Sequence, residues 1–371
     1  MVALAVLVLV AAANVPIHIK PGCLLPDERH IDLWCPGDSH YECYKIPSLL
    51  KIPASSTLLA FIEARKHSCD DEGYVDLLLR RSHDNGKTWG DPQFVYGNST
   101  DAPRKDWHTI GDALPIHDAS TGAIHLVFTR DNTDALYLRS DDLGATWPVA
   151  PRNISLAAVV KRGPFLGTGH AAGVQLDDAN GTLLVPMYGG GSNSFVLASG
   201  DHGATWSIRG ELDCSPNEWV MAETVKGSGK LVGSARSSGS RVQSFSADGG
   251  RTWTPTKHVH NLPEPVSGCE GAMVLHPNGK LYYSHPDEKL LRQLMHVKVS
   301  EDGGKSWSQH ASLWGPGAGC DVPCVPAASY SSMAVLDRDD PASDIAILYM
   351  RNNITMLIFE GRGVSFTKFS P

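Results

Sequence analysis

The chain has 371 residues, 42% of them hydrophobic, enough to bury a large core either as two domains or as one closed architecture. A formal net charge of -8, with no run of Lys or Arg and no basic helix, excludes a broad positive field for nucleic acid. Any anion-binding site must therefore be local.

Residues 1–13 are apolar around Leu4 to Val10 and run into small residues, the pattern of a secretory signal peptide without the usual basic start. Residues 14–40 read as an N-terminal arm and 41–371 as the folded body, in which no segment is long enough to span a bilayer. The eight cysteines are an even set suited to an oxidising compartment. Cys23, Cys35 and Cys43 are placed to staple the arm, and Cys320 and Cys324 to close a small loop, although spacing leaves the connectivity open. Sequons at Asn98, Asn153, Asn180 and Asn353 point the same way, to the lysosome or the extracellular space. Neither the cysteines nor the sixteen histidines have metal-ligand spacing, so the histidines read as carrying no chemistry, and no metal or cofactor is expected.

One pattern recurs: Ser82-His-Asp-Asn-Gly-Lys-Thr-Trp89, Ser140 to Trp147, Ser199 to Trp206, Ser246 to Trp253 and Ser300 to Trp307, all of the form S-x-D-x-G-x-T/S-W. The Asp can accept bonds from nearby turn amides and the Gly supplies a positive φ, which makes each copy a tight turn. The Trp is placed to cap a blade. Each turn follows a short strand-like run, so each should join two strands of one sheet. Copies about 50 residues apart suit propeller blades of four strands each. Five copies with flanking strands at both ends predict an all-β, six-bladed propeller in which the two chain ends share a blade. Asp84, Asp142, Asp201, Asp248 and Asp302 are read as turn formers.

Between the turns lie segments of a different kind. They are Tyr44-Lys45-Ile46-Pro47, Glu63-Ala64-Arg65, Asp70-Asp71-Glu72-Gly73, Asn217-Glu218-Trp219, Ser234-Ala235-Arg236, Leu291-Arg292-Gln293 and Ser329-Tyr330-Ser331. By composition alone the acidic trio at 70–72 reads as a solvated loop, and a lone Tyr as packing. The turns, known as Asp boxes, and these segments together resemble the sialidases, most closely the animal lysosomal type, from about Tyr44 to the C-terminus.

That resemblance implies a retaining exo-sialidase acting on sialylated glycoconjugates, with Tyr330 as nucleophile, Glu218 as its activating base and Asp71 as acid/base. It implies that Arg236 and Arg292 hold the substrate carboxylate and that Arg65 contacts the substrate. A carboxylate on the anomeric carbon repels an anionic nucleophile in a partly dry pocket, and a neutral phenol avoids this. A phenol of ordinary pKa about 10 needs a base to take its proton. Asp71, as a general acid, should have a raised pKa.

Two positions depart from the family pattern. Lys45 stands where an Arg is expected, offering a point charge in place of a planar two-donor fork. Met350, in Leu348-Tyr349-Met350, replaces the carboxylate that would steady that Arg. These departures leave two alternatives open: hydrolysis of a related 2-keto sugar acid such as Kdn or Kdo, and a propeller that binds sialoglycans without cleaving them.

Overall fold

The computed structural model describes residues 29–371 apart from 101, 156–162, 164, 190–192, 214–216, 317, 319–326 and 352–362. The predicted signal peptide, Cys23, Cys214, Cys320, Cys324 and Asn353 lie outside the described residues.

Six antiparallel sheets follow one another along the chain. Blade 1 is Cys43–Lys51, Leu58–Arg65, Val75–Ser82 and Gln93–Tyr96. Blade 2 is Ile110–His117, Ile124–Arg130, Asp134–Ser140 and Arg152–Asn153. In blade 3 the first position is divided between Leu166–Thr168 and Val174–Gln175, both paired with Leu183–Gly189, and Asn193–Ser199 and Ser207–Leu212 follow. Blade 4 is Trp219–Glu223, Leu231–Ala235, Ser240–Ser246 and Lys257–Pro263. Blade 5 is Ala272–Leu275, Leu281–Pro286, Met295–Ser300 and Ser308–Trp314.

Blade 6 closes the ring. Its first three strands are Ala328–Val335, Ile345–Arg351 and Gly363–Phe369, and its fourth is Ile31–Trp34, from the segment set apart above as an arm. The predicted six-bladed β-propeller, with both chain ends in one blade, is the fold observed.

The apolar clusters lie between neighbouring blades rather than within them. One joins Leu59, Phe61 and Leu77 of blade 1 to Ile124, Leu126 and Phe128 of blade 2, and another joins Val185 and Leu197 of blade 3 to Leu114 and Val127 of blade 2. Because each sheet is covered on both faces, its middle strands lose the polar–apolar alternation of a half-buried strand. Leu58–Arg65 is buried at every position.

All five Asp boxes join the third strand of a blade to its fourth. In the first, Asp84 Oδ1 accepts from the Ser82 hydroxyl at 2.8 Å and the Thr88 amide at 2.9 Å, and Oδ2 accepts from the Thr88 hydroxyl at 2.6 Å. These bonds, the Thr88 hydroxyl first, lower the carboxyl from its ordinary 3.8 to about 2. The Trp of each of the first three boxes wedges against the preceding blade, Trp89 on Phe366, Trp147 on Phe61 and Trp206 on Tyr137, with ring centroids 5.2, 5.8 and 5.7 Å apart, whereas Trp253 and Trp307 meet Trp219 and Tyr283 of their own blades, each at 5.7 Å. Blade 6 has no box because its third and fourth strands are the two ends of the chain, and nothing connects them.

Among the described residues no helix is long and apolar enough to cross a membrane. Asn98, the first sequon, is buried, and its amide donates to the carbonyls of Val75 and His108 at 3.0 and 2.9 Å, which leaves no room for a glycan there. Asn153 and Asn180 are exposed.

Candidate active site

The segments that differ from blade to blade meet at one end of the propeller axis, where the innermost strands begin. Register breaks between Lys45 and Ser48, Gly111 and Leu114, and Ser329 and Ser331 interrupt three of these strands. At or beside the breaks, Ile46, Asp112 and Tyr330 have φ of 55°, 56° and 38°, and His170 on blade 3 has 22°. A bulge re-aims a side chain that regular pleating would bury in the sheet face, and a positive φ at a non-glycine residue is strain that the surroundings must impose. Here it turns Tyr330, Asp112 and His170 towards a common centre. Gly169 permits the approach of blade 3 to blade 4, because a Cβ there would collide with the Trp219 carbonyl.

Tyr330 and Glu218 meet at that centre. The Tyr330 hydroxyl donates to Glu218 Oε1 at 3.0 Å, and Arg236 Nη1 reaches both Glu218 Oε2, at 2.6 Å, and the phenol oxygen, at 3.1 Å. Burial, then the Glu218 charge, raise the phenol well above its ordinary pKa, with Arg292 and Arg236 opposing. The proton therefore stays on the oxygen unless a base removes it. Burial would also raise Glu218, but His170 and Arg236 outweigh it and hold the carboxyl well below the usual range. The pair is a neutral phenol hydrogen-bonded to an ionised base. The backbone amide of Tyr330 donates to the free thiol of Cys269 at 3.3 Å.

Two residues here were not anticipated. His170, 2% exposed, places Nδ1 3.2 Å from Asp112 Oδ1 and Nε2 3.4 Å from Glu218 Oε1. Burial opposes its charge, yet the two carboxylates raise it well above the usual histidine range. The reading of all histidines as inert is thus corrected for this one. Its signal was hidden because its partners are 58 residues upstream (170 − 112) and 48 downstream (218 − 170), on two other blades. Glu270, 1% exposed, lies beside this group with Arg241 3.9 Å away, and burial pushes its carboxyl up to about 8.

Asp71 sits on the loop between the second and third strands of blade 1, its side chain 87% exposed. Arg65 Nη1 donates to Asp71 Oδ1 at 2.7 Å and to the carbonyls of Cys69 and Asp70, while its Nη2 holds Glu63 at 2.7 Å. A disulfide between Cys43 and Cys69 ties this loop to the strand that carries Lys45. Cys43 thus braces the acidic loop, not the arm. The expected upward shift of Asp71 is reversed: burial raises it, but the Arg65 hydrogen bond and charge, then Lys45 and Arg292, bring it below the ordinary 3.8. Asp71 is an ion-paired carboxylate.

The remaining cations line the same end. Lys45, buried, has Nζ 3.8 Å from Asp71 Oδ1. Arg292 lies over the Tyr330 ring at 5.1 Å and donates from Nε to the Gly268 carbonyl at 3.1 Å. Arg236 anchors Nε on the neighbouring Ser267 carbonyl at 3.0 Å. Gly268, with φ +65°, must be a glycine, since a Cβ would come within 2.6 Å of the Arg236 side chain. Met350 is buried in the apolar cluster that also contains Tyr44, Ile46 and Tyr330. All seven residues singled out in the sequence therefore lie at one end of the propeller, in two linked groups: Glu218, Arg236, Tyr330 and Arg292, and Asp71, Arg65 and Lys45.

Comparison with known proteins bears on the family and the fold. The BNR repeat-like domain model matches residues 56–340. The chain is 32% identical to human Sialidase-4 over 272 residues, 63% of this chain but only 54% of that protein, so it spans about half of that relative. It is 26% identical to Sialidase-2 of Cricetulus griseus over 357 residues, covering 85% of this chain and 91% of that one. The structure of the Hadza microbial sialidase Hz136 superposes with a TM-score of 0.73 at 25% identity, over 92% of this chain and 68% of that chain. With the family model matched over well more than half of the chain, the chain belongs to the BNR repeat-like family, and the relatives it resembles are named sialidases.

Proposed function

We propose that this protein is a retaining exo-α-sialidase that hydrolyses terminal sialic acid from glycoconjugates through a tyrosyl-enzyme intermediate. The observation that carries the proposal is the buried Tyr330–Glu218 hydrogen bond of 3.0 Å, spanned by Arg236. A neutral phenol hydrogen-bonded to an ionised carboxylate within a ring of cations is an arrangement in which the carboxylate can take the proton of an attacking phenol.

In the first step the Tyr330 oxygen bonds to the anomeric carbon as Glu218 takes its proton. Asp71, protonated, gives its proton to the departing aglycone oxygen, and the glycosidic bond breaks. In the second step Asp71, now a carboxylate, takes a proton from water as the water oxygen attacks the same carbon. The bond to Tyr330 then breaks, and the phenol recovers its proton from Glu218. Two displacements on one carbon retain configuration.

Arg236, Arg292 and Lys45 are assigned to the substrate carboxylate. A carboxylate among these cations offsets the Lys45 and Arg292 contributions and so raises Asp71, while the larger Arg65 contribution has to be relieved by release of the Arg65–Asp71 hydrogen bond as the acid takes up its proton. Arg65 is assigned a positioning role in place of the substrate contact expected above, because its donors already engage Glu63, Asp71 and two loop carbonyls. His170, backed by Asp112, keeps Glu218 ionised.

The test is release of a fluorophore from a sialoside. Turnover is expected, and Tyr330→Phe should lower kcat by about a thousandfold or more. No turnover by folded protein from pH 4 to 7, or full activity in Tyr330→Phe, would refute the proposal. Matched Kdn and Kdo donors decide between sugar acids, and binding of an intact sialoglycan without release would favour the non-hydrolysing alternative.

A further inference from the structure

We propose that His170, Glu218 and Glu270 form a binding site for a divalent cation of the Zn2+ type, and that its occupancy shuts the enzyme off. One ligating atom from each residue lies within 4.8 Å of the other two. The His170 Nε2 to Glu218 Oε1 separation is already 3.4 Å, close to the spacing of neighbouring ligands around a tetrahedral zinc with bonds of about 2.0–2.1 Å.

Each side chain has an atom to offer. Arg236 occupies Oε2 of Glu218, while Oε1 faces His170 and accepts the Tyr330 hydroxyl, which an ion would have to displace. Glu270 is 1% exposed, and neither of its oxygens makes a hydrogen bond. Arg241 stands 3.9 Å from Oε1, beyond hydrogen-bonding distance. Both ring nitrogens of His170 lack a hydrogen bond of good geometry although the residue is 2% exposed. Buried polar groups left in this state are uncommon and call for a partner.

The surroundings complete the site. Asp112 Oδ1 lies 3.2 Å from His170 Nδ1, the outer carboxylate that orients a metal-bound imidazole and fixes its tautomer. One imidazole and two carboxylates select a Zn2+-like ion over Ca2+ or Mg2+, which call for larger all-oxygen sets. No spacing motif announces the site, because His170 lies in the gap of blade 3's divided first strand while Glu218 and Glu270 lie just before the first strands of blades 4 and 5.

An ion here would use the Glu218 lone pair that accepts the Tyr330 proton. This inhibitory half rests on the function proposed above. The binding half does not.

The experiment titrates ZnCl2 into the full chain, following bound zinc by calorimetry and, separately, sialoside turnover. One Zn2+ per chain should bind, with inhibition over the same concentration range. Glu270→Gln, which removes a ligand outside the catalytic pair, should lose zinc affinity and, measured against its own turnover without zinc, zinc inhibition together, by about tenfold or more. Asp112→Asn should weaken zinc binding by about 10- to 100-fold. Absence of binding, or binding of unchanged affinity in both variants, would overturn the site whatever the turnover shows. Zinc binding that falls in both variants while the protein has no turnover without zinc would uphold the site and refute the sialidase reading.

Discussion

The Asp-box turns and the inner-strand starts both hold carboxylates below their ordinary pKa, and they do so by opposite means. Asp84 is half-buried and takes its hydrogen bonds from Ser82 and Thr88, within four residues. Glu218 is buried and is held by His170, Arg236 and Tyr330, from three other stretches of chain. A local turn can be copied five times, each copy complete in itself. A centre assembled from several blades exists once, and each member depends on the positions of the rest.

That contrast predicts a steep gradient of mutational effects. Glu218→Gln removes the base and leaves Arg236 and His170 without their shared anion, so kcat/KM should fall by about 100- to 10,000-fold, with a lower melting temperature as well. Unchanged kinetics would mean that the pocket carboxylate is as dispensable as a turn residue.

His170→Gln comes next. Without the cation that lowers it, Glu218 should have a higher pKa, and since Glu218 must be ionised to act, the acid limb of kcat/KM should move up by about one pH unit. A uniform loss at every pH would point to packing alone.

Lys45→Arg is smaller and opposite in sign. A guanidinium restores a fork for the substrate carboxylate, so KM should fall by a few fold at nearly constant kcat. An increase in KM would show that the buried Lys45 site is shaped for an ammonium.

Asp84→Ala should have the least effect, with activity retained and the melting temperature lower by a few degrees. The sign of its pH dependence is set by the carboxyl being lowered from 3.8 to about 2, as at Asp142, Asp248 and Asp302. The stabilisation is fully present above pH 3.8 and lost as pH falls through 2. Melting curves of the variant and the parent should therefore converge in strong acid.

The legible parts of the chain were those whose partners are near in sequence. An Asp box declares itself because donor, acceptor and glycine lie within eight residues, and five boxes with strands at both ends already imply the shared sixth blade. The segments around Tyr330, Glu218, Arg236 and Asp71 were readable only through resemblance to a family, since nothing in Asn217-Glu218-Trp219 specifies a base. His170 was passed over, and Asp71 was given the wrong direction of shift. Both depend on charges brought in by other blades: Asp112 and Glu218 around the imidazole, Arg65, Lys45 and Arg292 around the carboxylate.

By itself the sequence determined the repeated turn, the count of blades and the sharing of one blade by the two chain ends, because short-range hydrogen bonding and periodicity are written locally. Only the tertiary structure decided which side chains face the axis, because a one-residue bulge in an inner strand reverses where a side chain points. It also decided the protonation of the pocket. Burial and charges from several blades combine there, and neither can be summed until the ring has closed.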